Sequence, residues 1–202
     1  MSSASHRYLA LGDSFTIGTG VGAERSFPAV LVALWRERGI EVALTNPAVN
    51  GYTTDALIEK ELPLARTVRP TIVTVAVGAN DIVRGSDEAR YRSQLRRIFT
   101  ELLEGGVAPR AIYALPQPDW SLSPAAGGFG DPAALRAIID RFNLALRAEA
   151  ERAGARYIDL GPLMRRQADS AMLASDRLHP SAAALAEWAA QLAAEIVISG
   201  AR

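Results

Sequence analysis

Ser14, in Gly12-Asp13-Ser14-Phe15, and His179, in Asp176-Arg177-Leu178-His179, are by type the residues of this sequence best suited to nucleophilic chemistry. A serine hydroxyl is a poor nucleophile until a base comes within hydrogen-bond reach. Imidazole, which titrates near neutrality, suits that task. The other histidine, His6, precedes the first apolar run and so belongs at the opposite end of the element that delivers Ser14. Asp176 stands three residues before His179. On a helical turn that spacing puts both side chains on one face, where the carboxylate can fix the imidazole tautomer. Acyl transfer from an ester also needs donors aimed at the developing oxyanion. The candidates are the backbone N–H groups of Ser14 and Gly51 and the side-chain amide of Asn80, in Val77-Gly78-Ala79-Asn80-Asp81. Loss of one such donor costs ~2.7–4 kcal/mol of transition-state stabilisation. Asp13 and Asp81 read as structural, with Asp81 bracing the loop that carries Ser14.

These residues are far apart in sequence, so the fold must bring them together. Five short runs rich in branched residues, at 7–11, 42–44 with an extension towards 49, 71–77, 111–115 and 156–160, alternate with longer segments of helical period. That alternation predicts an α/β fold with a parallel sheet covered on both faces. In such a sheet every strand delivers its carboxyl end to one edge, where ligands bind. Ser14, Gly51 and Asn80 follow the first three strands. Two amphipathic stripes support the helices between: Tyr91, Leu95, Ile98 and Leu102, then Leu135, Ile138, Ile139, Phe142 and Leu146. Ser26, Ser86 and Asp131 sit where helix caps belong, Asp131 being followed by Pro132. A last helix is expected over 181–198. Residues 116–130, with three prolines and three glycines, read as an irregular surface loop.

Composition narrows the function classes. The 202 residues are 49% apolar, which suits a single domain with one core. Twenty-two basic residues balance twenty-two acidic ones, so no overall field recruits nucleic acid or an anionic membrane. Cysteine is absent and histidine scarce, which argues against thiol catalysis, disulfides and a structural zinc, and no metal is expected. No apolar run has the length of a membrane span, and the first six residues lack a leader's apolar stretch. A soluble, cytoplasmic protein without stable membrane insertion is the expectation. The oligomeric state is open.

Four segments, Gly12-Asp13-Ser14-Phe15, residues 46–51 ending in Gly51, Gly78-Ala79-Asn80-Asp81 and Asp176-Arg177-Leu178-His179, resemble in kind and order the four motif blocks of the SGNH, or GDSL-type, hydrolases. The resemblance runs from Gly12 to His179. It implies a flavodoxin-like three-layer α/β/α sandwich with strand order 2-1-3-4-5. It also implies a serine ester hydrolase without a cofactor, with Ser14, Asp176 and His179 as triad and Ser14, Gly51 and Asn80 as oxyanion hole. Phe15 replaces the leucine of the eponymous motif.

Each residue alone has an ordinary explanation: a helix cap for Ser14, a turn for Gly51, a loop bridge for Asn80, an exposed pair for Asp176 and His179. Their joint occurrence outweighs these. The glycines of Gly18-Thr19-Gly20-Val21-Gly22-Ala23 match a dinucleotide fingerprint, but too far beyond the strand and without the acid that should follow the second strand. They read as a mobile loop beside Ser14. Phe15, Ile17 and Trp120, with Leu122 and Phe129, stand where they could wall an acyl pocket; ordinary packing explains them equally well. The expected partner is a small ester, short-chain, aryl or lysophospholipid-like. The rivals are a carbohydrate O-deacetylase, which an open groove with Trp120 as aromatic platform would favour, and a catalytically silent binding module.

Overall fold

The computed structural model describes residues 6–198. Residues 1–5 of the amino-terminal stretch read above lie outside them. In chain order the elements are β1 (His6–Gly12), α1 (Ser14–Ile17), α2 (Phe27–Glu37), β2 (Val42–Thr45), α3 (Thr54–Ala56) continued by a π-turn (Leu57–Glu61), α4 (Leu64–Val68) and β3 (Ile72–Ala76). There follow α5 (Ala79–Val83), α6 (Glu88–Glu104), β4 (Ile112–Ala114), α7 (Pro132–Arg152), β5 (Arg156–Tyr157), α8 (Gly161–Asp169) and α9 (Ala182–Glu195). All strand pairs are parallel, in the order β2-β1-β3-β4-β5.

The strand period sorts side chains to two faces. Tyr8, Ala10, Ile72 and Ala76 pack with Phe27, Leu31 and Trp35 of α2 and Leu185, Trp188 and Leu192 of α9. Leu9, Leu11, Val73 and Val75 pack with Tyr91, Leu95 and Ile98 of α6 and Phe142 and Leu146 of α7. Two apolar clusters therefore sandwich the sheet, the expected three layers. Each large side chain so buried is worth ~1.5–3 kcal/mol of transfer free energy.

Several expected boundaries move. β5 is two residues long: Ile158 N–H still donates to Ala114 O at 3.1 Å, but Leu160 N–H turns back to Ile158 O. Asp159 Oδ1 then accepts Gly161 N–H at 2.9 Å and launches α8. β2 stops at Thr45 because Pro47 follows Asn46 and has no N–H for a ladder. The cap of α6 is Asp87, which accepts Arg90 N–H at 2.7 Å, in place of Ser86. Ser26 precedes α2, but its hydroxyl donates backwards to Ala23 O at 2.6 Å. Asp131 caps α7 as expected, and Ser181 caps α9, which ends at Glu195. Residues 116–130 are irregular but not superficial: two single 3-10 turns, Trp120–Leu122 and Ala126–Gly128, bury Trp120, Ser121, Ser123 and Ala126. Apolar side chains in that stretch outweigh its turn-forming composition.

Candidate active site

Ser14 opens α1 immediately beyond the carboxyl end of β1. Asp13 caps this single turn, its Oδ1 accepting Phe15 N–H at 3.1 Å, and Gly18 ends it with φ 82°. Gly12 admits no side chain, since a Cβ would lie 2.1 Å from Thr16 Oγ1 and 2.6 Å from Ala76 O. Beneath the turn the fully buried Glu61 accepts Gly12 N–H at 2.9 Å. Ser14 N–H points out of the first turn, where helical N–H groups have no intrahelical acceptor. Among the described residues neither it nor Gly51 N–H makes a hydrogen bond.

Gly51 adopts φ 88°, in the left-handed region glycine tolerates, and Arg84 Nη2 holds its carbonyl at 3.0 Å. Asn46 ties this segment to the first: its Nδ2 donates to Thr16 O at 3.1 Å. Asn80, in the first turn of α5, donates from Nδ2 to Tyr52 O at 2.9 Å and reaches Asp13 Oδ2 at 3.4 Å. The first contact fixes the amide; the second is long enough for a better acceptor to displace it. Asp81 does brace a loop, but the one after Gly51: its carboxylate accepts Thr54 N–H at 3.0 Å and Thr54 Oγ1–H at 2.5 Å. Bracing beneath Ser14 falls to Asp13 and Glu61.

Asp176 and His179 do pair, though not on a helix. They lie on a bend closed by a bridge between Leu173 and Pro180, with Ala174 N–H donating to His179 O at 2.7 Å. Arg177 takes φ 59° within it. Asp176 Oδ1 accepts the N–H groups of Leu178 and His179, both at 3.0 Å, while Oδ2 lies 2.7 Å from His179 Nδ1. Burial pushes the Asp176 carboxyl up, but these bonds together outweigh it and hold the group below the usual carboxylate range. The contact fixes the proton on Nδ1 and leaves Nε2 free to act as base. The imidazole packs against the Phe15 ring, centroids 5.2 Å apart, which brings it beside the residue following Ser14. Ser14 Oγ makes no hydrogen bond to His179 in this arrangement.

Two loops hold the bend in place. Ser123 Oγ donates to Arg177 O. On the other side Gly20, at φ 86°, packs so closely that a Cβ would lie 2.8 Å from Ala174 Cβ and 3.3 Å from Asp176 Oδ2. The glycine loop is therefore a packing surface for the Asp176–His179 bend.

Burial drives a second electrostatic feature. The Asp13 carboxyl is pushed up to about 7, first by burial and then by the charge of Asp81, against the pull of Phe15 N–H and Asn80. Glu61 is pushed up to about 8 by burial, opposed by Gly12 N–H and reinforced by Asp13. Burial also raises Asp81, against the Thr54 bonds.

Of the candidate substrate residues, Phe15 is buried against His179 and Ile17 is half-buried. Trp120 is buried edge-on to Phe129, its indole N–H committed to Gln117 Oε1 at 3.1 Å. Its face is not a platform. Sequence reasoning missed Glu61, Gly20 and Ser123. Glu61 left a signal, an acid in phase with the apolar stripe of Leu57, Ile58, Leu62 and Ala65. Among the described residues no group of three or more His, Cys, Asp or Glu could hold a metal, and no helix is long and apolar enough to cross a membrane.

Known proteins resemble this chain in sequence and in fold. An arylesterase of Vibrio mimicus is 30% identical over 105 residues, 52% of either chain, so the chain spans about half the length of the curated relatives it matches. A lipase/acylhydrolase from Enterococcus faecalis superposes with a TM-score of 0.76 at 22% identity, covering 95% of both chains. An acetylxylan esterase from Geobacillus stearothermophilus does so at 0.77 and 20% identity, covering 99% of this chain and 98% of that one. These likenesses support the fold. The model of the GDSL-like lipase/acylhydrolase family matches residues 10–194, and on that match, with the motif blocks at one sheet edge, the chain belongs to this family.

Proposed function

We propose that the protein hydrolyses carboxylic esters of short acyl groups through an acyl-enzyme on Ser14. The observation that carries this reading is the 2.7 Å contact of Asp176 with His179 Nδ1, on a bend whose imidazole lies against Phe15. His179 Nε2 takes the Ser14 hydroxyl proton as Oγ attacks the ester carbonyl. The imidazolium formed is stabilised by Asp176. The negative oxygen is received by the N–H groups of Ser14 and Gly51 and by Asn80, whose long contact to Asp13 gives way to it. His179 returns its proton to the departing alcohol, then deprotonates the water that releases the acid. Catalytic hydrogen bonds tighten in the substrate complex, so closure between Ser14 Oγ and His179 belongs to the reaction cycle.

Acyl size follows from the space available. The void bounded by Asp13, Phe15, Phe27, Leu160, Met164 and Trp188 is about 10 Å³, and its neighbour below Trp120 about 30 Å³. One water needs ~10–15 Å³ by a comparable measure. Neither void is lined by Ser14 or His179, so the one feature read as favouring acetyl and similarly short groups is that no room for an alkyl chain lies behind Phe15. Burial of Trp120 removes the aromatic platform that would have favoured a carbohydrate ester.

Ser14→Ala is expected to abolish p-nitrophenyl acetate turnover and labelling by a fluorophosphonate probe while melting like the parent. Undiminished turnover, or an adduct on another residue, overturns the assignment. A steady rise in kcat/KM with acyl length beyond butyrate overturns only the chain-length reading.

A further inference from the structure

Arg36, Arg141, Arg165 and Arg166 on the helices make no ion pair among the described residues, but many other arginines there are neutralised: Arg97 pairs with Glu101 and Arg147 with Glu151, and Arg92, Arg96 and Arg152 converge on the buried Glu149. At the amino-terminal edge of the sheet, opposite Ser14, they are not. A cleft of about 970 Å³ there is walled by Arg7, Arg66, Arg69, Arg110 and Arg156, with Glu104 the one carboxylate in its lining. None of the five makes an ion pair among the described residues. In a chain whose formal net charge is zero, this is a local segregation of charge.

The five arginines come from separate elements: Arg7 from β1, Arg66 and the capping Arg69 from α4, Arg110 from the turn before β4, and Arg156 from β5. Two are anchored. Arg7 Nε donates to Val68 O at 2.9 Å and Arg69 O at 2.7 Å, and no other guanidinium nitrogen of Arg7 is hydrogen-bonded among the described residues. Arg156 lies over the Tyr113 ring, 5.9 Å from its centroid. Arg69 holds φ 47°, a left-handed conformation that costs a non-glycine residue energy. Solvation accounts for arginines scattered over a convex surface. Five arginines lining one concavity exceed the single carboxylate, Glu104, that lines it with them.

We propose that this cleft binds a compact, multiply charged phosphate compound, such as a soluble di- or triphosphate, at a site on the far side of the sheet from Ser14. Guanidinium forks match phosphate oxygens two at a time and are more weakly hydrated than ammonium groups. The volume falls in the range of small-molecule sites, ~300–1,000 Å³. Concavity and the balanced overall charge favour a small anion over a nucleic acid, which would need an extended basic track.

The test titrates tripolyphosphate into the 202-residue chain by calorimetry in low-salt buffer, with Arg66→Glu/Arg110→Glu and Arg66→Gln/Arg110→Gln variants alongside. Both arginines are exposed and their side chains make no hydrogen bond or ion pair among the described residues, so the variants should melt like the parent and keep p-nitrophenyl acetate turnover. Binding is expected in the parent and in Ser14→Ala alike, weakened at least about tenfold in the Glu variant, less in the Gln variant, and by added salt. Absence of binding, undiminished binding in the Glu variant, or loss of binding in Ser14→Ala overturns the proposal. Binding to phosphatidic acid vesicles without binding to soluble tripolyphosphate overturns it too, since it would assign the patch to a lipid surface.

Discussion

Asp176 grips His179 twice, once through the backbone N–H at 3.0 Å and once through ring Nδ1 at 2.7 Å. One carboxylate thus sets both the path of the chain and the tautomer of the imidazole. Asp176→Asn separates the two jobs. The amide oxygen can still accept the backbone N–H groups, so the melting temperature should change little. The amide nitrogen then faces Nδ1 and favours the wrong tautomer, and kcat should fall by roughly 10³–10⁴-fold. Asp176→Ala should lose activity and also melt lower. Comparable kcat for Asp176→Asn and parent would remove Asp176 from the mechanism.

The buried carboxyls beneath Ser14 make stability fall with rising pH. Glu61 at about 8 and Asp13 at about 7 lie above their ordinary values of 4.5 and 3.8. Between the ordinary and raised values the folded protein holds protons that the unfolded chain has released. Their contribution to stability is therefore full below about pH 4 and declines until the raised values are passed, by roughly 1.4 kcal/mol per pH unit for each group. Glu61→Gln keeps an acceptor for Gly12 N–H and removes one titrating group. Urea unfolding from pH 5 to 9 should show a shallower decline in the variant; parallel curves would contradict the account.

Gly20→Ala tests the loop that abuts the acid. The new methyl meets Ala174 at 2.8 Å, and the φ of 86° is unfavourable for alanine. The left-handed conformation alone costs ~1–2 kcal/mol. Turnover should drop more than stability, because the atom displaced next is Asp176 Oδ2. Gly39→Ala, with φ 76° and open space around its missing Cβ, is the control: similar backbone cost without the loss of activity. Equal activity losses at both positions would show that strain, not contact with the bend, is responsible.

The sheet was legible because strands covered on both faces are largely apolar, as Tyr8 to Leu11 of β1 and all of β3 except Thr74 are. The Ser14, Gly51 and Asn80 segments were legible because parallel strands send their carboxyl ends to one edge. Ser86 was misread because Asp87, one residue later, competes for the same orphan N–H groups, and sequence alone does not rank adjacent caps. Asp176 and His179 were paired correctly through the wrong geometry: spacing of three fits a helical face, but a bend secured by Ser123 and Gly20 does the work. Those two contacts are long-range and carry no local pattern. Residues 116–130 look like a solvent loop by composition, and only the packed fold reveals that Trp120 is drawn inside.

The bend from Leu173 to Pro180 has one more consequence. Asp176 and His179 share a single short piece of chain stitched by its own hydrogen bonds, while Ser14 rides on another. Relative displacement of the two pieces leaves the contact between Asp176 and His179 untouched and changes the gap between Ser14 Oγ and the imidazole. Substitutions that shift the bend as a whole should therefore act as a throttle on how often that gap closes, whereas Gly20→Ala presses on Asp176 Oδ2 itself.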